Sequence, residues 1–301
     1  MASEYKVDVA LKNCFSTVGE APHWEASSQR LVLVDIISGG VLRYDPNTQE
    51  RSEIHLDGAV GFVIPRNKGG YVVGLGNSLA RLDFESGAVE TIVQVEDGSK
   101  NRFNDAKCDA RGRLWAGTMG PISDDGKPTV GAGTLYSLSA DHSVKSHLDQ
   151  LTISNGMDWS VDNTVMYYID SPTRKVVAFD FDLNNGAISN QRTVASFEDI
   201  QGLPDGMCVD AEGKLWVAFY SGSSVRRIDP ETGKTLQTIT FPATNITSCC
   251  FGGKNLDELY VTSSRFRISD SDFREKQPLA GSLFRVTGLG VKGKAANNFD
   301  G

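Results

Sequence analysis

No stretch of this chain approaches the ~18–20 consecutive apolar residues that a membrane-spanning helix needs. Its opening residues put Glu4, Lys6, Asp8 and Lys12 where a signal peptide needs an apolar core. The protein is therefore expected to be neither membrane-spanning nor exported by that route, and is read as cytoplasmic. Positive charge is in deficit, with 30 Lys and Arg against 38 Asp and Glu and a net charge of −8. That sign is wrong for tracking a phosphate backbone, so nucleic acid is not an expected partner. The cysteines (Cys14, Cys108, Cys208, Cys249 and Cys250) are few, odd in number and free of any CxxC spacing. Packed free thiols in a reducing compartment are expected rather than a disulfide framework.

Several catalytic signatures are missing too. The four histidines (His23, His55, His142, His147) show no HExxH or HxH spacing, and no GxSxG elbow, GxxxxGK[ST] loop or GxGxxG following a strand occurs. The usual zinc-protease, serine-hydrolase, P-loop and Rossmann readings fall away. Helical patterning is almost absent, and 31 Gly with 10 Pro interrupt what could have formed it.

What is present is a repeat. A turn followed by an alternating apolar and aromatic strand occurs six times, in Gln29–Asp35, Gly69–Val73, Gly112–Gly117, Thr164–Asp170, Gly213–Ala218 and Asp257–Thr262, with Val32, Tyr71, Trp115, Tyr167, Trp216 and Tyr260 aligned as anchors. Each copy leads through a short turn into a second strand such as Val41–Asp45 or Val225–Asp229, and five lead on to a third. Units of about 40–50 residues with four strands each are propeller blades. The reading is an all-β, six-bladed β-propeller formed by residues 1–301 as one domain, with Lys6–Leu11 supplying the outer strand that the sixth unit lacks.

The same alignment points to a site. Eleven or twelve residues before each anchor lies the start of a blade's innermost strand, and those starts converge around one end of the central channel. Four of the six positions carry oxygen-bearing side chains: Glu20, Asn104, Asn155 and Asp205. The second blade offers Ala59 and Val60, the sixth Thr247 and Ser248. Carboxylates and amides crowded around a closed axis are costly unless a cation joins them. Two carboxylates and two amide oxygens, with no thiolate or imidazole equivalently placed, describe a hard-cation site of the Ca²⁺ or Mg²⁺ type, which Zn²⁺ or Mn²⁺ could also occupy. Asn155-Gly156 and Asp205-Gly206 taken singly also read as turn formers; their shared repeat position favours the site. Asp180–Gly186 imitates the opening of a calcium loop, but its Gly falls one place late and Gln191 stands where the closing Glu belongs, so it reads as a turn.

Several segments, among them Asn101-Arg102-Phe103-Asn104-Asp105, Ser154-Asn155-Gly156-Met157-Asp158-Trp159, Pro204-Asp205-Gly206-Met207-Cys208 and Cys249-Cys250-Phe251-Gly252-Gly253, resemble the gluconolactonase family. That resemblance implies a six-bladed propeller, one divalent metal held by Glu20, Asn155 and Asp205, and hydrolysis of sugar lactones with Arg102 and Asn104 holding substrate oxygens. On this reading Asp205 is also the general base for the attacking water, and a sugar lactone is the small-molecule partner. The chain departs from the family after Ala-Gly-Thr-Met: Gly120-Pro121-Ile122-Ser123 stands where a substrate-contacting Glu is expected, leaving Asp124 or Asp125 to reach the pocket from the loop. The alternative reading is a calcium-binding regulatory protein using the same site without turnover.

Overall fold

The computed structural model describes residues 5–301. Twenty-four strands form six four-stranded antiparallel sheets. The first blade is β2 (Gly19–Glu25), β3 (Arg30–Asp35), β4 (Gly40–Tyr44) and β5 (Arg51–His55); the second β6 (Val60–Pro65), β7 (Tyr71–Leu75), β8 (Ser78–Leu82) and β9 (Val89–Gln94). The third comprises β10 (Arg102–Cys108), β11 (Leu114–Met119), β12 (Gly133–Leu138) and β13 (Val144–Leu151), and the fourth β14 (Ser154–Trp159), β15 (Val165–Asp170), β16 (Lys175–Asp182) and β17 (Ala187–Ser196). The fifth is β18 (Leu203–Val209), β19 (Leu215–Tyr220), β20 (Ser224–Ile228) and β21 (Thr235–Thr240). The sixth takes β22 (Ile246–Gly252), β23 (Glu258–Ser263) and β24 (Leu283–Thr287) and is completed by β1 (Lys6–Leu11), antiparallel to β24. Each innermost strand packs against those of the neighbouring blades, so the sheets close into a six-bladed β-propeller. The closing strand is the one expected from the sequence, residue for residue.

Successive residues of a strand face opposite sides, so each blade presents apolar side chains to both neighbours. The aromatic anchors fill these inter-blade layers: Trp115, Trp216 and Tyr260 are fully buried. Each such side chain contributes about 2–3 kcal/mol of burial. The indole N–H groups need acceptors there, and the hairpin preceding two of the anchors supplies them: Trp115 Nε1 donates to Asp109 at 3.0 Å and Trp216 Nε1 to Asp210 at 2.9 Å. The segments Asp109-Ala110-Arg111-Gly112 and Asp210-Ala211-Glu212-Gly213 thus bind the hairpin turn and the core together, because the same carboxylates accept the turn amides of Arg111 and Arg113, or of Glu212 and Lys214.

One alignment position needs correction. In the second blade Val72, not Tyr71, faces the next blade in the manner of Trp115 and Trp216, as its place in the cluster with Phe103 and Ala116 shows. The ring position of that blade therefore moves from Ala59 and Val60 to Gly61. The helix-poor reading holds with one small exception, α1 (Asp270–Glu275), which lies in the long loop between β23 and β24. Asp180 lies in β16, and Asp182 to Gly186 form its turn.

Residues 292–301 run beneath the end of the channel opposite the strand starts. They bond in turn to blade six through Gly293 N to Leu256 O, blade five through Ala211 N to Lys292 O, blade four through Lys294 Nζ to Trp159 O, blade three through Asn297 Nδ2 to Cys108 O, and blade two through Phe299 N to Pro65 O.

Candidate metal and substrate site

Every innermost strand carries a β-bulge near its start. The pairing register slips between Glu20 and His23, Val60 and Val63, Phe103 and Ala106, Ser154 and Met157, Pro204 and Met207, and Ile246 and Cys249. A bulge bends its strand and re-aims a side chain. Gly19, Val60, Phe103, Ser154, Pro204 and Ile246 all pair with the residue three places past their blade's anchor. The residues that follow them are therefore equivalent: Glu20, Gly61, Asn104, Asn155, Asp205 and Thr247 form one ring. A Cβ at Gly61 would collide with the Phe103 carbonyl, which leaves this position without a side chain.

Close approach, not turn formation, explains the glycines after Asn155 and Asp205. Neither has a positive φ, and both lie within strands. A Cβ on Gly156 would strike the Asp205 carbonyl, and one on Gly206 the Ser248 hydroxyl. The absence of side chains lets three adjacent inner strands approach closely enough for Asn155, Asp205 and Ser248 to meet.

The ring residues are locked to one another. Asn104 Nδ2 donates to Ser154 O at 2.9 Å, and Thr247 Oγ1 donates to Gly19 O at 2.6 Å and lies 2.8 Å from Thr262 Oγ1. Arg102 Nη1 donates to Asn104 Oδ1 at 2.8 Å and to Phe103 O at 2.9 Å. Asn155 Nδ2 donates to Ser171 Oγ at 3.0 Å, and the Asn155 side chain opposes the upward shift of the Asp205 carboxyl. Glu20 accepts its neighbour Ala21 N at 2.6 Å, and the Ser248 side chain opposes the upward shift of its carboxyl.

Electrostatically the ring is under tension. Burial first, then the charges of Asp205 and Asp105, push the Glu20 carboxyl well above its ordinary range. Burial and the Asp105 charge do the same to Asp205. Arg102 is drawn down to about 10 by burial, opposed by Glu20, so it remains a cation. Asp105, the third carboxyl, is raised by burial against the pull of Lys107. It makes no ion pair with Arg102, whose Nη1 is committed to Asn104 and Phe103.

The donor set fits a hard divalent cation. Asn155 Oδ1 is buried and has no hydrogen-bond partner, an expensive state for an amide oxygen. It shares the ring with the Asp205 carboxyl on the next blade and with Glu20, whose carboxyl feels the Asp205 charge. A divalent ion would satisfy the orphaned oxygen and relieve both carboxylates, with Glu20, Asn155 and Asp205 as the protein ligands. Asn104 is less available, because its oxygen is engaged by Arg102. Among the described residues no group of three or more His, Cys, Asp or Glu side chains has metal-binding spacing, in keeping with a set of two carboxylates and an amide.

Two aspartates that sequence reasoning quoted only as part of the repeat prove to shape this ring. Asp35, almost fully buried, accepts Ser16 N at 2.7 Å, Thr17 N and Val18 N, and also the Ser16 and Thr17 hydroxyls, fixing the segment that delivers Glu20. Asp170 accepts Ile153 N at 2.8 Å and Thr152 N at 3.1 Å, doing the same ahead of Asn155. The signal was available: both lie three residues beyond their anchors, at matching places in two blades.

The mouth is bridged from above. The loop between β11 and β12 and the loop between β23 and β24 belong to blades on opposite sides of the ring, yet Arg267 Nη2 donates to Ser123 O at 3.0 Å. The expectation that Asp124 or Asp125 turns inward is not met. Both are exposed, and Asp125 is held outside by Ser123 Oγ at 2.5 Å and Lys127 at 2.7 Å. No acidic side chain of this loop takes the place of the missing glutamate. The histidines stay outside the ring: His55 and His142 lie on the surface, His147 packs on Trp115, and His23 lies further down the channel wall.

Residues 18–265 match the model of the SMP-30/Gluconolactonase/LRE-like region. The chain is 45% identical over 303 residues to a Xenopus laevis protein named regucalcin, covering 99% of this chain and all of that one. Among solved structures, a luciferin-regenerating enzyme superposes with a TM-score of 0.91 at 39% identity, over 99% of this chain and 100% of that one. A calcium-binding protein, regucalcin from Agrobacterium tumefaciens, superposes at 0.90 with 22% identity over 98% and 97%, a likeness of fold. Among the described residues no helix is long and apolar enough to cross a membrane. The chain belongs to the SMP-30/gluconolactonase/LRE-like family.

Proposed function

We propose that residues 1–301 act as one unit that hydrolyses sugar lactones with the help of one divalent cation held by Glu20, Asn155 and Asp205. The observation that carries this reading is the unpartnered, buried Asn155 Oδ1 in the same ring as two carboxyls, Glu20 and Asp205, that burial and neighbouring acidic charge push toward protonation. A family that includes gluconolactonases and a relative named as calcium-binding add support. Calcium is the first ion to test; Mg²⁺, Mn²⁺ and Zn²⁺ are compatible with the same oxygens.

When bound, the cation supplies Lewis-acid polarisation of the lactone carbonyl, typically worth several kcal/mol. The protein's own groups do the rest. Arg102, a buried guanidinium held against Asn104 and Phe103, offers its remaining N–H donors to the hydroxyls of a sugar ring, and Asn104 is fixed beside it. Asp205 takes the proton from the attacking water, the cation keeping its carboxyl ionised for that step. Ring opening then needs a proton on the leaving oxygen, which the same carboxyl returns. The roof formed by Ser123 and Arg267 keeps bulk water from competing for these groups.

The test is turnover of glucono-δ-lactone by chelator-stripped protein, with Ca²⁺, Mg²⁺, Mn²⁺ or Zn²⁺ returned one at a time. Turnover is expected only with added cation. Asp205→Ala should abolish it, and Arg102→Ala should lower kcat/KM by about 100-fold with cation affinity kept within about threefold. Undiminished turnover in chelator, or an active Asp205→Ala protein with its full complement of metal, refutes the scheme. Tight Ca²⁺ binding without turnover of any lactone would select the regulatory reading instead.

A further inference from the structure

Below the ring, on the side covered by residues 294–297, the channel widens into a chamber of about 190 Å³. Its walls hold the two most closely approached thiols of the described chain. Cys208 Sγ on β18 and Cys249 Sγ on β22 are 3.8 Å apart, on innermost strands of neighbouring blades. All five cysteines are free. Lys107 reaches the same wall, its Nζ donating to the carbonyl of Met207, the residue before Cys208, at 2.7 Å. A second ammonium, Lys294, enters from the tail; both are paired to the one Asp158 carboxylate, at 3.3 and 3.1 Å.

We infer that Cys208 and Cys249 form a reversible dithiol–disulfide pair, converted by a small hydroperoxide entering the chamber, and that its closure alters the cation site above it. The roles of the two sulfurs follow from their surroundings. Cys249 holds its proton, donating it toward the Trp216 carbonyl at 3.4 Å or toward Cys208. Cys208 accepts from it, and Lys107 is held one residue away on the Met207 carbonyl, so Cys208 is assigned as the attacking sulfur. Its sulfur attacks one peroxide oxygen, the O–O bond breaks, and the other oxygen leaves as water after protonation, giving a sulfenic acid at Cys208. Cys249 sulfur then attacks that sulfur, the S–O bond breaks, and the departing hydroxide takes the Cys249 proton. Two thiols lose two electrons and one peroxide becomes two waters. Cys250 also lines the chamber but packs on the Trp24 side of its strand, whereas Cys249 shares the layer of Cys208, so Cys249 is the partner.

Closure draws the sulfurs from 3.8 Å to a bond length of about 2.05 Å. That movement acts on the strand segments carrying Asp205, three residues before Cys208, and Ser248, the Glu20 partner next to Cys249. This second step rests on reading the ring as a cation site; the thiol chemistry does not.

The experiment treats full-length protein with hydrogen peroxide, counts thiols after denaturation, maps peptides by mass spectrometry, and titrates Ca²⁺ calorimetrically before and after. Expected are loss of two of the five thiols, a Cys208–Cys249 cross-linked peptide that dithiothreitol reverses, and a change in Ca²⁺ affinity of threefold or more. The cross-link should persist in Cys250→Ser and vanish in Cys249→Ser, with the wild-type peptide map deciding should either variant fail to fold. Five thiols retained, or sulfinic acid at Cys208 without a cross-link, overturns the pair. A cross-link with unchanged Ca²⁺ affinity overturns its coupling to the ring. A cross-link in a protein whose reduced form takes up none of Ca²⁺, Mg²⁺, Mn²⁺ and Zn²⁺ overturns both the coupling and the cation reading, and leaves the thiol pair standing.

Discussion

Replacing Asp205 with Asn should make the cation-free protein more stable while destroying what the cation adds. Three carboxyls, those of the ring residues Glu20 and Asp205 and of the adjoining Asp105, lie buried together, and the first two are pushed well upward by burial and by neighbouring acidic charge. A carboxyl whose folded pKa lies above its unfolded value binds more protons in the folded state, so stability is greatest below the unfolded value and declines as pH rises through the folded one. Asp205→Asn removes one of these charges and keeps the oxygen that accepts the Gly206 amide. At pH 8 in chelator the gain should be about 1–3 kcal/mol, the usual penalty of an uncompensated buried polar group. For a chain of this size that is a rise of roughly 2–6 °C in Tm.

As pH falls toward 5 and the upward-shifted carboxyls take up protons, the gain should shrink. Saturating Ca²⁺ reverses the order. At one hundred times Kd the wild type gains about 2.7 kcal/mol by mass action, or roughly 5 °C, and the variant gains little. Because the ion must displace protons from Glu20 and Asp205, the wild-type shift should grow with pH. Thermal melts in chelator and in Ca²⁺ between pH 5 and 8.5 measure every arm. An Asp205→Asn protein less stable than wild type in chelator at pH 8, with the same Ca²⁺ shift as wild type, would refute the claim that the ring stores repulsion for a cation to relieve.

Asp170→Ala releases the amides of Thr152 and Ile153; it should cost about 2–3 kcal/mol and weaken cation binding about 10-fold by loosening Asn155, and an unchanged affinity by calorimetry would remove Asp170 from the site's support. Asp210→Ala strips an acceptor from Trp216, from two turn amides and from Arg227, which lies 2.7 Å away. It should cost about 3–5 kcal/mol, a drop of roughly 6–10 °C, with the cation affinity of the folded protein unaltered.

The repeat was legible because each blade must bury an alternating strand on both faces, which leaves a period in the sequence wherever the anchor is aromatic. Where the anchor is the small Val72, the neighbouring Tyr71 drew the alignment off by one residue, and Gly61 was missed as a ring position. The closing strand was legible by subtraction, since the sixth unit had one strand too few. The ring itself followed from equivalence, but the reason for Gly156 and Gly206 did not. A glycine required by a neighbouring backbone looks, in sequence, like a glycine required by a turn. Asp35 and Asp170 left a signal in their matching places three residues past the anchors, but not their role, because the amides they accept belong to segments 17 to 19 residues earlier in the chain.

One structural position thus performs two kinds of work around the ring. Thr247 joins blade six to blade one through the Gly19 carbonyl, and Asn104 joins blade three to blade four through Ser154 O; both satisfy backbone groups that the bulges expose. Glu20, Asn155 and Asp205 occupy the same position with oxygens left over. The difference is stoichiometric: a hydroxyl donor or an amide whose oxygen is already claimed closes the lattice, whereas Asn155 Oδ1 and two carboxyls exceed the donors around them. A propeller needs only the lattice to close. The excess of acceptors on three of the six blades has no structural use, and a bound cation is the simplest thing that would give it one.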